Sequence, residues 1–478
     1  MSVDRESLRE TAKYLQNVRP IDPEEVYEYL ESQPHPAVVR TALREEAFEL
    51  GLRETDEGTF VPVDEEPAPA PGWAPTAYPE RYDRAVEDLL IERFGRDWAT
   101  GESGYRLRER IRELKETYYR GEDVSYDAEA ALAYAVYHAG DFYAATGYAL
   151  DPLAERGLLP RRLRVLDVGA GTGGPAVALH DYLPDDAVVE YHAVEPSANA
   201  DVLERVLDET GRNFRTTIHR TTAEAFDPGS VDAVDLLLFG NVLSELAEPT
   251  ATVERYCETL ADDGTCLLLA PADLATATEL RTVERAVATP ETGRSVFAPP
   301  SRLWPDAVPS DRGWSFDERE PIAVPATQAR LAEAADPDEF PDREELDADQ
   351  FRNTSVRFAY ALIRPDGERR LPVRANAERH ARLAESETHV TNRVNLLACK
   401  LSRNLAEGDG NPLYRVGDGS QTVDHYAVLT NETVLNDDLA TAAYGSVLSF
   451  ENVLVLWNDD EGAYNLVCDG ETVVDFVG

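Results

Sequence analysis

The stretch VLDVGAGTGG occupies residues 165–174 and joins a short apolar run to a glycine-rich turn. The apolar run is typical of a buried strand. The glycines after it permit a tight turn that brings backbone N–H groups close to a ligand. Similar apolar runs, most of them separated by helical segments, follow at residues 188–194, 215–220, 233–239 and 265–270. This alternation predicts an α/β fold with a doubly wound parallel sheet and a ligand site at the carboxyl ends of its strands.

The glycine pattern is compatible with two classes of cofactor. Gly169, Gly171 and Gly174 satisfy the GxGxxG of dinucleotide sites, whereas Gly169, Gly171 and Gly173 satisfy the GxGxG of S-adenosylmethionine sites. Asp167 would repel the pyrophosphate of a dinucleotide but attract the sulfonium and ammonium charges of S-adenosylmethionine. The residues therefore favour S-adenosylmethionine, and an NAD-dependent oxidoreductase is the alternative.

The ends of the next three strands supply the rest of the predicted cofactor site. Glu195 ends the second strand, where it can accept hydrogen bonds from both ribose hydroxyls. Thr222 follows the third strand at a place where many such enzymes have an aspartate, so we expect adenine contacts from Thr222 and backbone. The complete predicted set is Asp167, Gly169, Ala170, Gly171, Thr172, Gly173, Glu195, Pro196, Thr222, Ala223 and Asn241.

Asn241 and Glu245, after the fourth strand, are the candidate catalytic residues. Asn241 begins no NPPY tetrad, so methylation of an exocyclic base amine is not indicated. Cys257 and Cys266 fall in a helix and a strand, away from the donor site, so a thiolate nucleophile is not indicated either. Glu245 is either a base or substrate contact or an ordinary exposed acid. We therefore expect catalysis mainly by alignment of donor and acceptor.

The composition is strongly acidic over the whole chain of 478 residues. It has 91 Asp and Glu against 46 Lys and Arg, a net charge of -45, and 43% hydrophobic residues. Because the charge accompanies enough apolar residues for several cores, it indicates a surface adaptation rather than disorder. It is similar to that of cytoplasmic proteins of salt-accumulating haloarchaea, where multimolar salt screens the repulsion.

The cysteines and the apolar runs bear on metal content and location. The four cysteines are far apart, without disulfide, zinc or iron–sulfur spacing, so we expect no metal site. The acidic start is unlike a signal peptide, and no run reaches the ~18 apolar residues of a membrane span. The expectation is a cytoplasmic protein without a membrane partner.

The sequence predicts five segments. Three helices and a hairpin in residues 1–63 indicate a winged-helix-like domain, and five prolines in residues 64–79 indicate a linker. The remaining segments are a helical segment at 80–160, the core at 161–370 with an insertion at 273–350, and a β-rich domain at 371–478. A small barrel of OB type is one interpretation of that last domain.

Both terminal domains have candidate nucleic-acid contacts. The helix with Arg40 and Arg44 could enter a groove, but its domain is acidic and many winged helices bind only proteins, so DNA is not expected. The last domain has the mixture of cations and aromatic residues that single-stranded RNA needs, and ordinary barrel surface is the alternative. That set is His389, Arg393, Lys400, Arg403, Tyr414, Arg415 and Tyr426.

Residues 127–366 resemble the methyltransferase-like proteins of the mitochondrial small ribosomal subunit and their bacterial and archaeal relatives. The resemblance rests on AYAVY at 133–137, FY at 142–143, LDVGAGTG at 166–173 and NVLSEL at 241–246. The motifs APP at 298–300, WSF at 314–316 and FAYAL at 358–362 are similar to the family's insertion and final strands. The acidic composition indicates a haloarchaeal relative.

The resemblance implies a class I S-adenosylmethionine-dependent methyltransferase that acts on small-subunit ribosomal RNA or in ribosome maturation. Ribosomal RNA or a small-subunit precursor is then the expected partner. A non-catalytic assembly factor that binds the cofactor is the alternative within the family. Members commonly hold an iron–sulfur cluster, but here Ser315 stands at a cysteine position and no cysteine lies between Cys266 and Cys399. No cluster is therefore expected.

Overall fold

A computed structural model of the chain describes residues 3–31, 33–121, 124–335, 348–368, 371 and 373–478. These residues divide into two compact units. The first contains the described residues up to Phe226 with Ala233–Leu236 and Ile322–Thr354; the second contains Asp227–Asp232, Leu237–Pro321 and Ser355–Gly478. None of the helices in the described ranges is long and apolar enough to cross a membrane.

The first unit begins with three helices and a short hairpin. They are α1 (Arg5–Leu15), α2 (Pro23–Tyr29), α3 (Pro36–Leu50), β1 (Leu52–Glu54) and β2 (Phe60–Pro62). Asp4 and Asp22 cap α1 and α2 by accepting from backbone N–H groups of the first turn. Gly51 ends α3 in the left-handed conformation. The order of elements agrees with the sequence, and the assignment as a winged helix remains a prediction.

Three longer helices follow within the segment predicted to be helical, residues 80–160. They are α4 (Glu80–Phe94), α5 (Gly101–Arg120) and α6 (Ala128–Glu155). Asp127 caps α6 by accepting from the N–H groups of Glu129 and Ala130. Many of the buried residues of α6 are alanines, so its backbone can approach neighbouring elements closely.

The proline-rich segment at 64–79 has no helix or strand, but it is not a free linker. The ring of Trp73 lies 5.1 Å from that of Tyr143 and 5.6 Å from that of Tyr182, between centroids. Its indole N–H donates to the carbonyl of Ala144 at 3.0 Å. The composition therefore predicts a segment without helix or strand, but not its anchoring on α6.

A central sheet of eight strands follows. Its strands and helices are β3 (Arg162–Val168), α7 (Gly174–Tyr182), β4 (Val188–Val194), α8 (Asn199–Leu207), β5 (Phe214–His219), β6 (Val234–Gly240), α9 (Pro249–Cys257), β7 (Leu260–Pro271), α10 (Leu274–Val287), β8 (Ser295–Ala298), β9 (Asp317–Arg319), α11 (Ala326–Glu333) and β10 (Val356–Arg364). The strand order is β5-β4-β3-β6-β7-β10-β8, and β9 pairs with β10.

The sheet is mixed, which corrects the prediction of a wholly parallel sheet. Strands β3, β4 and β5 are parallel and in register, with Val168 beside Val194 and Val194 beside His219. Their carboxyl ends therefore lie together. At the other end β10 runs antiparallel to β7, β8 and β9. The predicted insertion thus contributes two strands to the sheet, while its residues 336–347 lie outside the described residues.

The last domain is a closed barrel. Its elements are α12 (Ser386–His389), β11 (Arg393–Lys400), β12 (Leu413–Gly417), β13 (His425–Leu429), α13 (Asp438–Thr441), β14 (Val447–Asn458), β15 (Ala463–Cys468) and β16 (Val473–Phe476). The order β11-β12-β13-β15-β14 closes through pairing of β14 with β11. The predicted barrel is therefore present with five strands, the number found in OB folds.

Candidate functional site

The glycine-rich loop after β3 is held against the end of β4. The N–H of Gly169 donates to the carbonyl of Val194 at 2.8 Å. The loop then turns through left-handed angles at Gly171 and Gly173, where φ is 56° and 93°. Residues with a Cβ rarely adopt these angles. Because α7 begins directly afterwards, its unpaired first-turn N–H groups adjoin the loop.

Gly171 and Gly173 differ in what surrounds them. A Cβ on Gly173 would lie 2.8 Å from Cδ1 of Leu203, so glycine there allows α8 to pack. A Cβ on Gly171 would meet only the ring of Tyr134 at 3.9 Å and a backbone oxygen at 4.0 Å. Gly171 therefore borders free space in which a ligand can lie.

Glu195, directly after β4, is bonded to this loop. Its side chain is buried, and Oε2 accepts from the N–H of Gly171 at 3.0 Å. Oε1 accepts from the N–H and the hydroxyl of Ser197 at 3.0 and 2.5 Å. The loop and the acid, predicted separately from the sequence, thus lie in direct contact. A carboxylate has about four lone-pair directions, so Glu195 retains acceptor capacity for a ligand hydroxyl.

Asp167, near the end of β3, is fully buried. The hydroxyl of Tyr191 donates to Oδ2, while Oδ1 is buried and has no partner in the described part of the chain. Burial raises the pKa of Asp167 to about 7, and the charge of Glu195 adds to the increase. An unpaired buried carboxylate is costly, so a positively charged ligand would stabilise the ionised form and fit this site.

The other residues predicted around the first three strand ends differ in accessibility. Ala170, Thr172 and Ala223 are buried, whereas Pro196 and Thr222 are exposed. The hydroxyl of Thr222 accepts from the N–H of Ala225 at 3.3 Å and so stabilises the local turn. Their contacts with a cofactor remain predictions.

Asn241 and Glu245 belong to the second unit. Asn241 follows β6 with φ of 58°, and its backbone N–H donates to the carbonyl of Leu269 at 2.8 Å. Its side-chain Nδ2 is buried without a partner among the described residues, as expected of a group that binds a ligand. Glu245 is an exposed residue in a 3₁₀ turn. Burial therefore supports Asn241 more than Glu245, and both roles remain predictions.

One face of α6 is aromatic and lies next to the glycine-rich loop, which the sequence did not predict. Tyr134, His138 and Phe142 are spaced four residues apart and so share one helix face. The His138 ring is 4.9 Å from both of the others and stacks on Phe142 at 11°. Since Tyr134 is the side chain next to Gly171, this face adjoins the glycine-rich loop. The four-residue spacing of these aromatic side chains is the feature of the sequence that indicates their shared face.

Two polar residues complete this cluster. Nδ2 of Asn353 donates to Oδ2 of Asp141 at 2.8 Å, and Nδ1 of His138 lies 3.3 Å from the same oxygen. Oδ1 of Asp141 is buried and unpartnered within the described residues. A buried, unpartnered polar group on the helix that adjoins the glycine-rich loop is suited to orienting a methyl acceptor.

The arginines of the N-terminal domain have contacts inside that domain. Nε and Nη2 of Arg44 donate to the buried carboxylate of Glu54 at 2.5 and 2.8 Å. Arg40 lies against the hairpin, with Nη2 3.1 Å from the position of a Cβ on Gly58. Arg44 would have to give up its pairing with Glu54 to contact a nucleic-acid groove through its guanidinium group.

The set proposed for RNA contact in the last domain is wrong for two of its cations. Lys400 is buried, donates to the carbonyls of Ala440 and Ala442, and has its pKa lowered by burial to about 8. Arg415 is also buried, and Tyr414 with it. Sequence shows charge but not burial, which long-range packing decides.

Two further members of that set are ion-paired. Arg393 donates to Asp469 at 2.5 Å, and Arg403 pairs with Glu318. His389 and Tyr426 are partly exposed. Any RNA contact would therefore depend on aromatic surfaces and on arginines that first exchange their carboxylate partners.

The four cysteines are buried and not in disulfides. Cys257 and Cys266 lie in α9 and β7, as predicted, and the pKa of Cys266 is raised by burial. The described ranges contain no group of three or more His, Cys, Asp or Glu residues placed to hold a metal ion. The expectation of no metal remains a prediction.

Models of protein families match three parts of the chain. A model described as a methyltransferase domain matches residues 166–266. The N-terminal and C-terminal domain models of a domain of unknown function (DUF8157) match residues 5–56 and 384–477. None of these is a model of the mitochondrial small-subunit family. No curated protein matches the chain.

Solved methyltransferase structures show distant similarity. The plantazolicin methyltransferase BamL, in complex with a triazolic desmethylPZN analog and SAH, has 12% identity and a TM-score of 0.30; the match covers 59% of this chain and 98% of BamL. The sugar N-methyltransferase KedS8 from Streptoalloteichus has 24% identity and a TM-score of 0.21; the match covers 26% of this chain and 47% of KedS8. A putative S-adenosylmethionine-dependent methyltransferase from Methanococcus maripaludis has 13% identity and a TM-score of 0.25; the match covers 31% of this chain and 65% of that one. Values this low carry no information about the substrate of this chain.

The match to the methyltransferase domain covers the glycine-rich loop, Glu195 and the strands from β3 to the start of β7. The strand order and the antiparallel β10 complete this domain. The chain therefore contains a class I methyltransferase domain, and the cofactor of this class is S-adenosylmethionine.

Proposed function

We propose that the protein is an S-adenosylmethionine-dependent methyltransferase that acts on small-subunit ribosomal RNA or in maturation of the small subunit. The observation that carries the donor assignment is the pair of buried carboxylates beside the glycine-rich loop. Asp167 has an unpartnered oxygen there, and Glu195 is bonded to the loop itself. Two negative groups in a buried site favour a cation and disfavour a pyrophosphate.

When bound, S-adenosylmethionine supplies an electrophilic methyl group. Glu195 would accept from the ribose hydroxyls, Asp167 would face positive charge, and the space beside Gly171 would hold the body of the cofactor. The chain contributes mainly position, since a methyl acceptor must lie in line with the donor sulfur. Asp141, oriented by Asn353, is suited to align the acceptor or take its proton.

The substrate proposal rests on the resemblance of the motifs and on the domains beside the core. A five-stranded barrel is an architecture that binds oligonucleotides in many proteins. Arg393 and the less buried Tyr426 would supply the cationic and stacking contacts there. Lys400 and Arg415 have no part in this proposal because they are buried.

The donor assignment is tested by S-adenosylmethionine binding to Gly171→Leu. This change should abolish binding, because the new side chain occupies the free space. Gly72→Leu is the matched control: Gly72 also has a left-handed φ, of 69°, and nothing lies within 4 Å of its Cβ position. Unchanged affinity in folded Gly171→Leu, or binding of NAD instead, would exclude the assignment.

The acceptor is tested by transfer of a radiolabelled methyl group to small-subunit precursors from a deletion strain. We expect label in ribosomal RNA that the wild-type protein adds and Gly171→Leu does not. Label in protein or in a small molecule would refute the RNA proposal while preserving the methyltransferase assignment.

A non-catalytic assembly factor is the second candidate. The exposure of Glu245 favours it, because the candidate acid after β6 lacks the burial that usually tunes a catalytic carboxyl. Bound S-adenosylmethionine that is never consumed on immature subunits would establish this function.

A further inference from the structure

A polar cavity that includes none of the residues of the methyl-donor site lies in the second unit. It has a volume of about 20 Å³, enough for one small ion or water molecule, and is bordered by α10, by residues between β8 and β9, and by β12 with the loop after it. The charged groups that line it are Arg281, Glu284, Arg285, Asp311 and Arg415. With the ion-paired neighbours Arg302, Arg312 and Asp424 included, five guanidinium groups surround three carboxylates, which is an excess of positive charge.

Arg415 provides an unpartnered donor in this cavity. Its side chain is 1% exposed, and Nη2 donates to Asp311 and Asp424, both at 2.5 Å. Nη1 is buried and has no partner in the described part of the chain. Such a donor is costly without an acceptor, particularly in a charged group.

Two neutral donors line the same cavity. Oε1 of Gln421 accepts from the N–H groups of Asp418 and Gly419, which fixes the orientation of the amide. Its Nε2 has no partner within the described ranges. The buried hydroxyl of Ser315 accepts from Nε of Arg281 at 3.0 Å, so its own proton can be donated elsewhere.

Both carboxylates in the cavity are already engaged. Asp311 accepts from Arg285 at 2.6 Å and from Arg415, while Glu284 accepts from Arg281 at 2.5 Å and from Arg302 at 3.2 Å. Neither of them accepts a hydrogen bond from Nη1 of Arg415 or Nε2 of Gln421 in the described residues. They would, however, repel a second negative charge in the cavity.

We propose that this cavity binds one small monovalent anion, of which chloride is the simplest, through Arg415, Gln421 and Ser315. The donors are all N–H or O–H groups, the surrounding charge is positive, and the volume admits one small ion. The site goes beyond the methyltransferase function and does not depend on it.

The test is anion-dependent thermal unfolding of the full chain at constant potassium concentration. As chloride replaces glutamate, the midpoint of the wild-type protein should rise and level off. Gln421→Glu keeps the acceptor oxygen and places a carboxylate where Nε2 was, so it should supply its own anion and lose the chloride dependence. Gln350→Glu adds the same charge at an exposed position in the other unit and should retain it.

Anomalous diffraction from wild-type crystals grown in bromide tests the site even if Gln421→Glu fails to fold. We expect one bromide within hydrogen-bonding distance of Nη1 of Arg415. Water alone in the cavity, an equal chloride response in Gln421→Glu, or displacement of bromide by sulfate would overturn the proposal, the last because a dianion would then be preferred.

Discussion

At the scale of single residues, the carboxyl group of Asp167 links the cofactor site to pH. Burial raises its pKa to about 7, so it is largely protonated at pH 6 and ionised at pH 8. Only the ionised form attracts a cationic donor. The affinity for S-adenosylmethionine should therefore rise about tenfold between pH 6 and pH 8, the change expected for one ionisation.

Calorimetric titration at these two pH values measures the effect. Binding at pH 6 should also release protons, because the cofactor lowers the pKa of Asp167. Asp167→Asn keeps the shape of the side chain but cannot ionise, so its weaker binding should be independent of pH. An equally steep pH dependence in this variant would assign the titration to another group.

The residues of the cofactor site could be predicted from the sequence to different extents. Asp167 and Glu195 follow a local rule, because an acid at a strand end lies at the ligand edge of the sheet whatever surrounds it. Asp141, in α6, and Asn353, just before β10, are brought together although they are far apart in sequence. Nothing local in either segment indicates that contact. The burial of Lys400 could not be predicted from the sequence either, because it depends on the closure of the barrel.

At the scale of elements, the contact that anchors residues 64–79 on α6 can be tested by substitutions at Trp73 and Gly147. The indole of Trp73 occupies the place of a Cβ on Gly147, which would lie 2.1 Å from it. Gly147→Ala should therefore destabilise the wild-type protein, although alanine is the better helix former by about 1 kcal/mol. In the Trp73→Ala background the same change should become stabilising.

A double-mutant cycle by chemical denaturation measures this reversal of sign. Trp73→Ala alone should cost about 2–3 kcal/mol, below the usual range for a fully buried tryptophan because Trp73 is half-buried. Additive effects of the two substitutions would show that Trp73 does not hold the segment on α6.

The elements themselves could largely be predicted, but their pairing could not. The strands of the core and the helices α4, α5 and α6 follow from apolar periodicity, which is a local property. The antiparallel position of β10 between β7 and β8 depends on contacts far apart in sequence. Three-residue strands such as β9 are too short for periodicity to show.

At the scale of the whole molecule, the charge of -45 opposes contact with RNA. Binding to ribosomal RNA ordinarily weakens as salt rises, because counterion release becomes less favourable. Here screening of the repulsion should dominate first, so we expect affinity for small-subunit precursors to increase with KCl at low concentrations. Filter binding across a KCl series measures this, with circular dichroism to show that the protein stays folded.

The burial of each cationic side chain decides which variants to compare in that KCl series. Arg393→Gln should weaken RNA binding, whereas Lys400→Gln should lower stability because Lys400 contacts only the protein's own carbonyl oxygens and the Tyr414 ring in the described residues. Affinity of the folded protein that only falls as KCl rises would refute the screening account.

The position of β10 also matters during synthesis. Strand β7 ends at Pro271, but its partner β10 starts at Val356 and β8 pairs with β10 rather than with β7. While the intervening chain is still in the ribosomal tunnel, the apolar strand β7 presents a row of unpaired N–H and carbonyl groups to the cytosol. The nascent protein therefore has an interval in which it can pair wrongly with other chains, and it ends only when β10 emerges. A premature stop between these strands would leave the fragment in that state permanently.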